Sequence, residues 1–280
     1  MPLERYTTFK IGGPAEYFIE PEDTGDLKAA LTLAGLNNLA VSIIGSGSNL
    51  LVSDKGIDGV VIKLSSAYFK KISFSDTHII AGAGCSLARV IADSQKRSLS
   101  SLEFLAGIPG TVGGSLAGNA GSAGKNIGDF VEDITVMDYN GVIRKFKKDD
   151  LEFGYRYSSV IDYIVLEARF RCVRKESEKI RQDLKRYLDA RKKNQDLSFP
   201  SAGCVFKNPA SNNPAGRLID LCGLKGQRIG DACVSGKHAN FIVNMGRAKS
   251  EDVTALMGLI RQKVEDKFNV SLEPEIKLWK

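Results

Sequence analysis

Short apolar runs broken by glycines and polar turns fill the first hundred residues, and they predict alternating strands and helices. "AEYFIEP" reads as a strand, and "TGDLKAALTLAGL" as a helix opened by Thr24 or Asp26. "LAVSIIG" then reads as a buried strand ending in glycine, which completes the opening of an α/β unit. "GVVIKL", "FKKISFS" and "HIIAGAG" are short β-rich runs separated by turn residues. "SLARVIADSQKR" spaces Leu87, Val90 and Ile91 as one helical face. Further on, "FVEDITVMD", "GVIRKFK" and "YIVLEARFRCV" read as strands, and Lys175 to Asp196 as a polar helix leading into a C-terminal unit. In that unit "SEDVTALMGLIRQKVEDKF" aligns Val253, Leu256, Met257, Ile260 and Val264 on one stripe.

Two stretches do not fit this punctuation. "GSGSNLLVSD" follows the run "VSII" directly, and its glycines free the backbone to turn with positive φ and to approach a ligand. Ser46, Ser48 and Asn49 add hydroxyl and amide donors, and successive amides in such a turn suit a diphosphate. It is not the G-x-G-x-x-G pattern that opens a long helix, so a Rossmann unit is disfavoured. The second stretch, "AGIPGTVGGSLAGNAGSAG", has almost no side chain larger than leucine, yet Ile108, Pro109, Val112 and Leu116 interrupt it. A flexible linker lacks such apolar residues, so this segment is expected to pack against a large cofactor. Two glycine-rich loops, each after β structure, fit a dinucleotide.

Composition narrows the partners. A chain of 280 residues, 43% hydrophobic and 26% charged, is ordinary for a soluble globular protein. No apolar run is long enough to span a membrane, and the first residues have no apolar secretion core, so the cytoplasm is the expected compartment. A net charge of +6 favours anionic partners. The basic stretch 181–196 alternates acids with bases like a solvated helix face, and no nucleic-acid motif or stacking aromatics accompany it. An anionic small molecule is expected, with no nucleic-acid or membrane partner, and a monomer. Five cysteines, odd in number and without C-x-x-C spacing, argue for free thiols and against zinc, and no bound metal is expected.

"PSAGCVFKNP" sets Cys204 in a tight bend, where a thiol can be a nucleophile, a ligand, an acid or a small filler. Arg156 and Glu275 taken singly read as surface ion-pairing residues. Cys172 and Cys222 read as core, and Cys85 and Cys233 as core or turn fillers. His78 reads as structural and His238 as a packed turn residue.

Eight motifs in order change this reading: "TTFKIGGPAEYF", "GSGSNLL", "AGIPGTVGGSLAGNAGSAG", "FGYRYSS", "SAGCVFKNP", "AGRLID", "HANFIVN" and "LEPEI". Nearly end to end, the chain resembles the UDP-N-acetylenolpyruvoylglucosamine reductases, flavoenzymes that make UDP-N-acetylmuramate for peptidoglycan. The resemblance implies an α+β protein with a two-subdomain FAD-binding fold of the vanillyl-alcohol-oxidase type, followed by an α+β substrate-binding domain. The expected segments are 1–65 and 66–173 for the two FAD-binding subdomains, and 174–280 for the connecting helix and substrate domain. The short span between "VFKNP" and "AGRLID" matches the family's shorter second type.

The resemblance also assigns roles. Noncovalent FAD would lie on Gly45, Ser46, Gly47, Ser48, Asn49 and Leu50, and on Gly110, Thr111, Gly113, Gly114, Ser115, Asn119 and Gly121. NADPH would supply hydride, which passes through the flavin to the enolpyruvyl C3. Tyr155, Lys207, Asn208 and Arg217 would contact the UDP-sugar. The proton for C2 usually comes from a serine in "GSxFKNP"; here that position is Cys204. A thiol, with an ordinary pKa near 8.5, gives up a proton more readily than a hydroxyl. Arg156 suits the substrate carboxylate, and Glu275 shares in supporting the enolate. Period two puts Glu273 and Glu275 on one face of an extended "SLEPEI", so only the family match selects Glu275.

Two other functions compete. A different FAD-dependent oxidoreductase of this fold would often carry an attachment histidine near the first glycine loop, and none is present. A non-catalytic flavin or nucleotide-sugar binder would be expected to lose Arg156, Glu275 or an acid at 204.

Overall fold

The computed structural model describes residues 1–209 and 213–280. It is an α+β chain that gathers into two compact units, and these do not follow chain order. One comprises residues 17–46 and 59–191; the other comprises 1–16, 47–58 and 192–280. The span that carries the second-type reading includes residues 210–212, which lie outside the described residues.

In the first unit, helix α1 (Thr24–Leu36) begins at Thr24, one of the two expected openers, with Asp23 as its N-cap. The Asp23 carboxylate accepts from the amides of Gly25 and Asp26, at 2.7 and 3.1 Å, and satisfies donors the helix cannot pair itself. Strands Ala15–Ile19 and Ile57–Ile62 run into this unit and make a three-stranded sheet with Val41–Ile43, with Ile57–Ile62 in the middle. The second sheet is antiparallel, in the order Ile143–Lys147, Val131–Met137, Ile164–Arg171, His78–Gly82 and Ile72–Phe74. Helix α2 (Leu87–Gln95) buries the expected Leu87, Val90 and Ile91. Helix α3 (Val112–Ala117) lies inside the glycine-rich stretch. Helix α4 (Ser177–Asn194) is the expected polar helix; it buries Ile180, and its Leu184 and Tyr187 pack against the core of this unit.

The second unit centres on an antiparallel four-stranded sheet, ordered Ser201–Cys204, Phe241–Asn244, Ala232–Val234 and Arg228–Ile229. Helices α5 (Ala215–Leu221) and α6 (Ser250–Phe268) complete it. All five residues of the predicted α6 stripe are buried, in a core with Phe9, Leu51, Phe206 and Ile276. Asp54, at the end of the first glycine loop, accepts at 2.7 Å from both the amide and the hydroxyl of Ser250. It therefore caps α6 from 196 residues away in sequence. Leu50–Val52 pairs in parallel with Lys277–Trp279. Among the described residues, no helix is long and apolar enough to cross a membrane.

Candidate active site

In the unit that contains both chain ends, two segments that the sequence separates by about seventy residues lie side by side. The amide of Glu275 donates to the Val205 carbonyl at 2.7 Å, and that of Lys207 donates to the Glu273 carbonyl at 2.9 Å. Phe206 and Pro274 form a bridge between them. Cys204 and Glu275 thus sit on directly hydrogen-bonded backbone, and both side chains are half-buried. Gly203, at φ +78, and a register shift between Ser201 and Cys204 break the strand at the thiol.

The structure separates the two glutamates that periodicity could not. Glu273 is exposed and its carboxylate pairs with the Lys207 ammonium at 3.2 Å, whereas Glu275 is half-buried. Asn208 accepts from the amide of Ala215 at 3.1 Å and so caps α5, while Arg217 lies exposed on that helix.

The first glycine loop reaches the same place. Asn49 donates its side-chain amide to the Glu275 carbonyl at 3.2 Å and accepts at its own carbonyl from Lys277, at 2.9 Å. Gly47 has φ +60, and a Cβ there would lie 2.1 Å from the Tyr6 carbonyl oxygen, so only glycine fits. Thr8 donates its amide to the Gly47 carbonyl at 3.1 Å and its hydroxyl to the Ser201 carbonyl at 2.7 Å. One threonine ties the loop to the strand that carries Cys204.

Sequence reasoning missed Thr8, and it missed Asn240 as well. Asn240 is 3% exposed. Its side chain accepts from the Phe206 amide at 3.0 Å and donates to the Phe206 carbonyl at 2.8 Å. Its own carbonyl accepts from Val205 at 2.8 Å. It therefore fixes both residues that follow Cys204. Its position in "HANFIVN" was the only available signal.

His238 packs against Phe241 with ring centroids 4.8 Å apart and the planes tilted by 54°, and its Nδ1 accepts from the Asn240 amide at 3.2 Å. Burial pushes its pKa below the ordinary value near 6.5. The unfolded chain therefore takes up the proton first as pH falls, and stability declines below about pH 6.5 and is flat above it. Thermal unfolding at pH 7.5 and 5.5 is expected to show a drop in Tm that His238→Gln shrinks. An unchanged drop would remove His238 from the acid response.

In the other unit the glycine loops meet each other. A Cβ on Gly45 would lie 2.6 Å from the Thr111 hydroxyl, which itself accepts from the Gly114 amide at 3.2 Å to start α3. Gly113 is pressed on Ala83, where a Cβ would come within 3.0 Å. Gly110 faces the buried Ser115, whose hydroxyl a Cβ would meet at 2.9 Å. Gly114 is exposed, but its amide is taken by Thr111, its carbonyl accepts from the Gly118 amide at 3.3 Å, and a Cβ placed there would meet the Thr111 hydroxyl at 3.3 Å. Gly121 packs on the Asn126 side chain in a two-residue ribbon. Asn119 is buried, with its carboxamide on Gly154 and Gly128. Tyr155 and Arg156 form the turn of the hairpin Phe153–Gly154 and Tyr157–Ser158, with the guanidinium carbon 5.5 Å from the Tyr155 ring centroid. Arg156 has φ +56, which a non-glycine residue adopts only at a cost.

Residues 45–50 and 106–124 carry no carboxylate, in a chain with 33 acidic residues. Small side chains and neutral hydroxyl and amide donors fit the diphosphate of FAD. Fold and loops together define a flavin-binding oxidoreductase, and residues 15–147 match the FAD binding domain family.

Residues 195–279 match the C-terminal domain of UDP-N-acetylenolpyruvoylglucosamine reductase. The reductase 2 of that name from Symbiobacterium thermophilum is 42% identical, covering 99% of this chain and 90% of the relative. The reductase from Desulforamulus reducens is also 42% identical, covering 99% and 91%. The crystal structure of the Thermus caldophilus reductase superposes with a TM-score of 0.86 at 35% identity, covering 100% of this chain and 98% of the other. The chain belongs to the UDP-N-acetylenolpyruvoylglucosamine reductase family and is an FAD-dependent oxidoreductase.

Proposed function

We propose that this protein reduces UDP-N-acetylglucosamine enolpyruvate to UDP-N-acetylmuramate with NADPH, as a cytoplasmic monomer, with Cys204 as the acid. The observation that carries this reading is the direct backbone pairing of the Cys204 and Glu275 segments, onto which Asn49 of the first glycine loop is bonded. Bound FAD would be held noncovalently by residues 45–50 and by Gly110, Thr111, Gly113, Gly114, Ser115 and Gly121, and would supply hydride transfer from NADPH to the enolpyruvyl C3. Asn119 stands outside this set because its carboxamide is spent on Gly154 and Gly128.

The chain's own residues handle the proton and the charge. Hydride addition at C3 leaves an electron pair on C2 that spreads into the carboxylate. Arg156 stabilises that enolate as it forms, because a fixed cation gains more from the charge that develops than from the ground state. The Cys204 thiol gives its proton to C2 and is left as thiolate, which solvent reprotonates before the next cycle. Glu275, half-buried on the paired segment, donates a hydrogen bond to the enolate when its carboxyl is protonated. Lys207, Asn208, Arg217 and Tyr155 contact the nucleotide sugar. Segments 1–65, 66–173 and 174–280 correspond to two cofactor subdomains and a substrate domain.

Mixing the yellow protein first with NADPH and then with the enolpyruvyl nucleotide sugar tests the reading. Flavin absorbance should bleach in the first step and return in the second without oxygen. A flavin that bleaches but is not reoxidised by this sugar would defeat it. Lys207→Ala is expected to raise the KM for the nucleotide sugar or NADPH by about tenfold, the loss of one charge-assisted contact. Unchanged constants for both would remove Lys207 from the site.

A further inference from the structure

Asn119 belongs to the glycine-rich loop, but its carboxamide is turned away to bind backbone elsewhere. Its Nδ2 donates to the Gly154 carbonyl at 2.8 Å, and its Oδ1 accepts from the Gly128 amide at 3.1 Å. The side chain is 3% exposed, so both bonds are shielded from water. Its φ of +42 turns the chain immediately after α3 and aims the short carboxamide. Asparagine tolerates that backbone better than other side chains.

Gly154 is the residue before the turn Tyr155–Arg156, and it pairs directly across the hairpin with Tyr157. Each strand of that hairpin has only two residues, too few to hold a conformation alone. Yet Arg156 sits in the left-handed region, a state that persists only where surrounding contacts over-determine it. The bond from Asn119 is a buried contact made one residue from the turn.

We propose that Asn119 is a positioning residue for Arg156: its carboxamide fixes the hairpin so that the guanidinium is held where the reaction uses it. This rests on the role given above to Arg156. It also makes the glycine-rich loop and Arg156 one mechanical piece, so a shift of the loop is felt at the arginine.

Asn119→Asp isolates the contact. The carboxylate can still accept from Gly128, but it has no hydrogen for Gly154 and sets charge against that carbonyl. In the FAD-loaded enzyme, bleaching by NADPH and the FAD Kd should stay within about threefold of wild type. Reoxidation by the enolpyruvyl nucleotide sugar should slow by about 10²-fold, the scale that misplacing one catalytic group produces. The double variant Asn119→Asp with Arg156→Ala should be no slower than Arg156→Ala alone. In the cofactor-free protein, tryptic cleavage after Arg156 should speed up, which reads the hairpin without any chemistry.

A tenfold or larger rise in FAD Kd, with reoxidation normal once FAD saturates, would make Asn119 a cofactor contact and overturn the proposal. Additive losses in the double variant, or unchanged cleavage after Arg156, would overturn it too. If Arg156→Ala alone reoxidises normally, the role of Arg156 is what fails, and the single variant shows that by itself. Should Asn119→Asp not fold, Asn119→Ser, which keeps a smaller donor, is expected to cleave and reoxidise between wild type and Arg156→Ala; wild-type behaviour in both would overturn the proposal.

Discussion

Cys204→Ala is expected to bleach with NADPH at the wild-type rate and then to turn over more slowly by on the order of 10²–10⁴, the usual loss when one positioned general acid goes. Hydride delivery to the flavin needs no acid at 204, so the two half-reactions separate cleanly. Cys204→Ser should retain substantial turnover, since serine is what the family's motif places there. The native enzyme should be sensitive to iodoacetamide and protected by nucleotide sugar, and Cys204→Ser should lose that sensitivity. Cys85 and Cys172 are buried, so alkylation at those thiols should not mimic the effect. Wild-type turnover in Cys204→Ala would reduce the thiol to a filler behind Gly203, with the proton coming from Glu275 or water.

Gly47→Ala should cost about 2–5 kcal/mol, from a left-handed backbone and a clash with backbone that cannot move aside. The added Cβ would sit 2.1 Å from the Tyr6 carbonyl oxygen and 2.8 Å from the Thr7 Cα. Relief requires moving the loop away from Thr8, whose amide bonds the Gly47 carbonyl at 3.1 Å. The variant should therefore lose FAD during purification and unfold several degrees lower. Gly223→Ala is the control. It has φ +72 but nothing within 4 Å of its Cβ, so it should cost only about 1 kcal/mol and stay yellow. Equal behaviour of the two variants would show that backbone strain, and not contact with Tyr6, makes glycine necessary at 47.

Much of the secondary structure was legible because its signal is local. The stripe from Val253 to Val264 and the trio Leu87, Val90 and Ile91 repeat at helical spacing, and all are buried. The glycine loops were legible for the same reason. What stayed hidden depends on partners far along the chain. Asp54 looked like the end of a turn, but its carboxylate caps a helix that begins 196 residues later. Thr8 and Asn240 carry no periodic mark, because a single polar side chain finds its partner only in the folded state. Glu273 and Glu275 are identical by period, and it took the ion pair with Lys207 to set Glu273 apart. Even at α1, Thr24 and Asp26 looked like openers, but the residue whose carboxylate meets two free amides is Asp23.

The parallel pairing of Leu50–Val52 with Lys277–Trp279 has a consequence for the ribosome. Residues 1–16 and 47–58 are made early, but the rest of their unit lies at 192–280. The nascent chain must carry Phe9, Ile11 and Leu51 without their core partners until residues 192–280 have been made. Residues 59–191 supply most of the other unit and can collapse as they emerge. Pairing segments so distant in sequence is intrinsically slow. The early apolar segments are therefore a standing demand on chaperones, and the window in which a newly made chain is exposed to aggregation closes only when Lys277–Trp279 arrives.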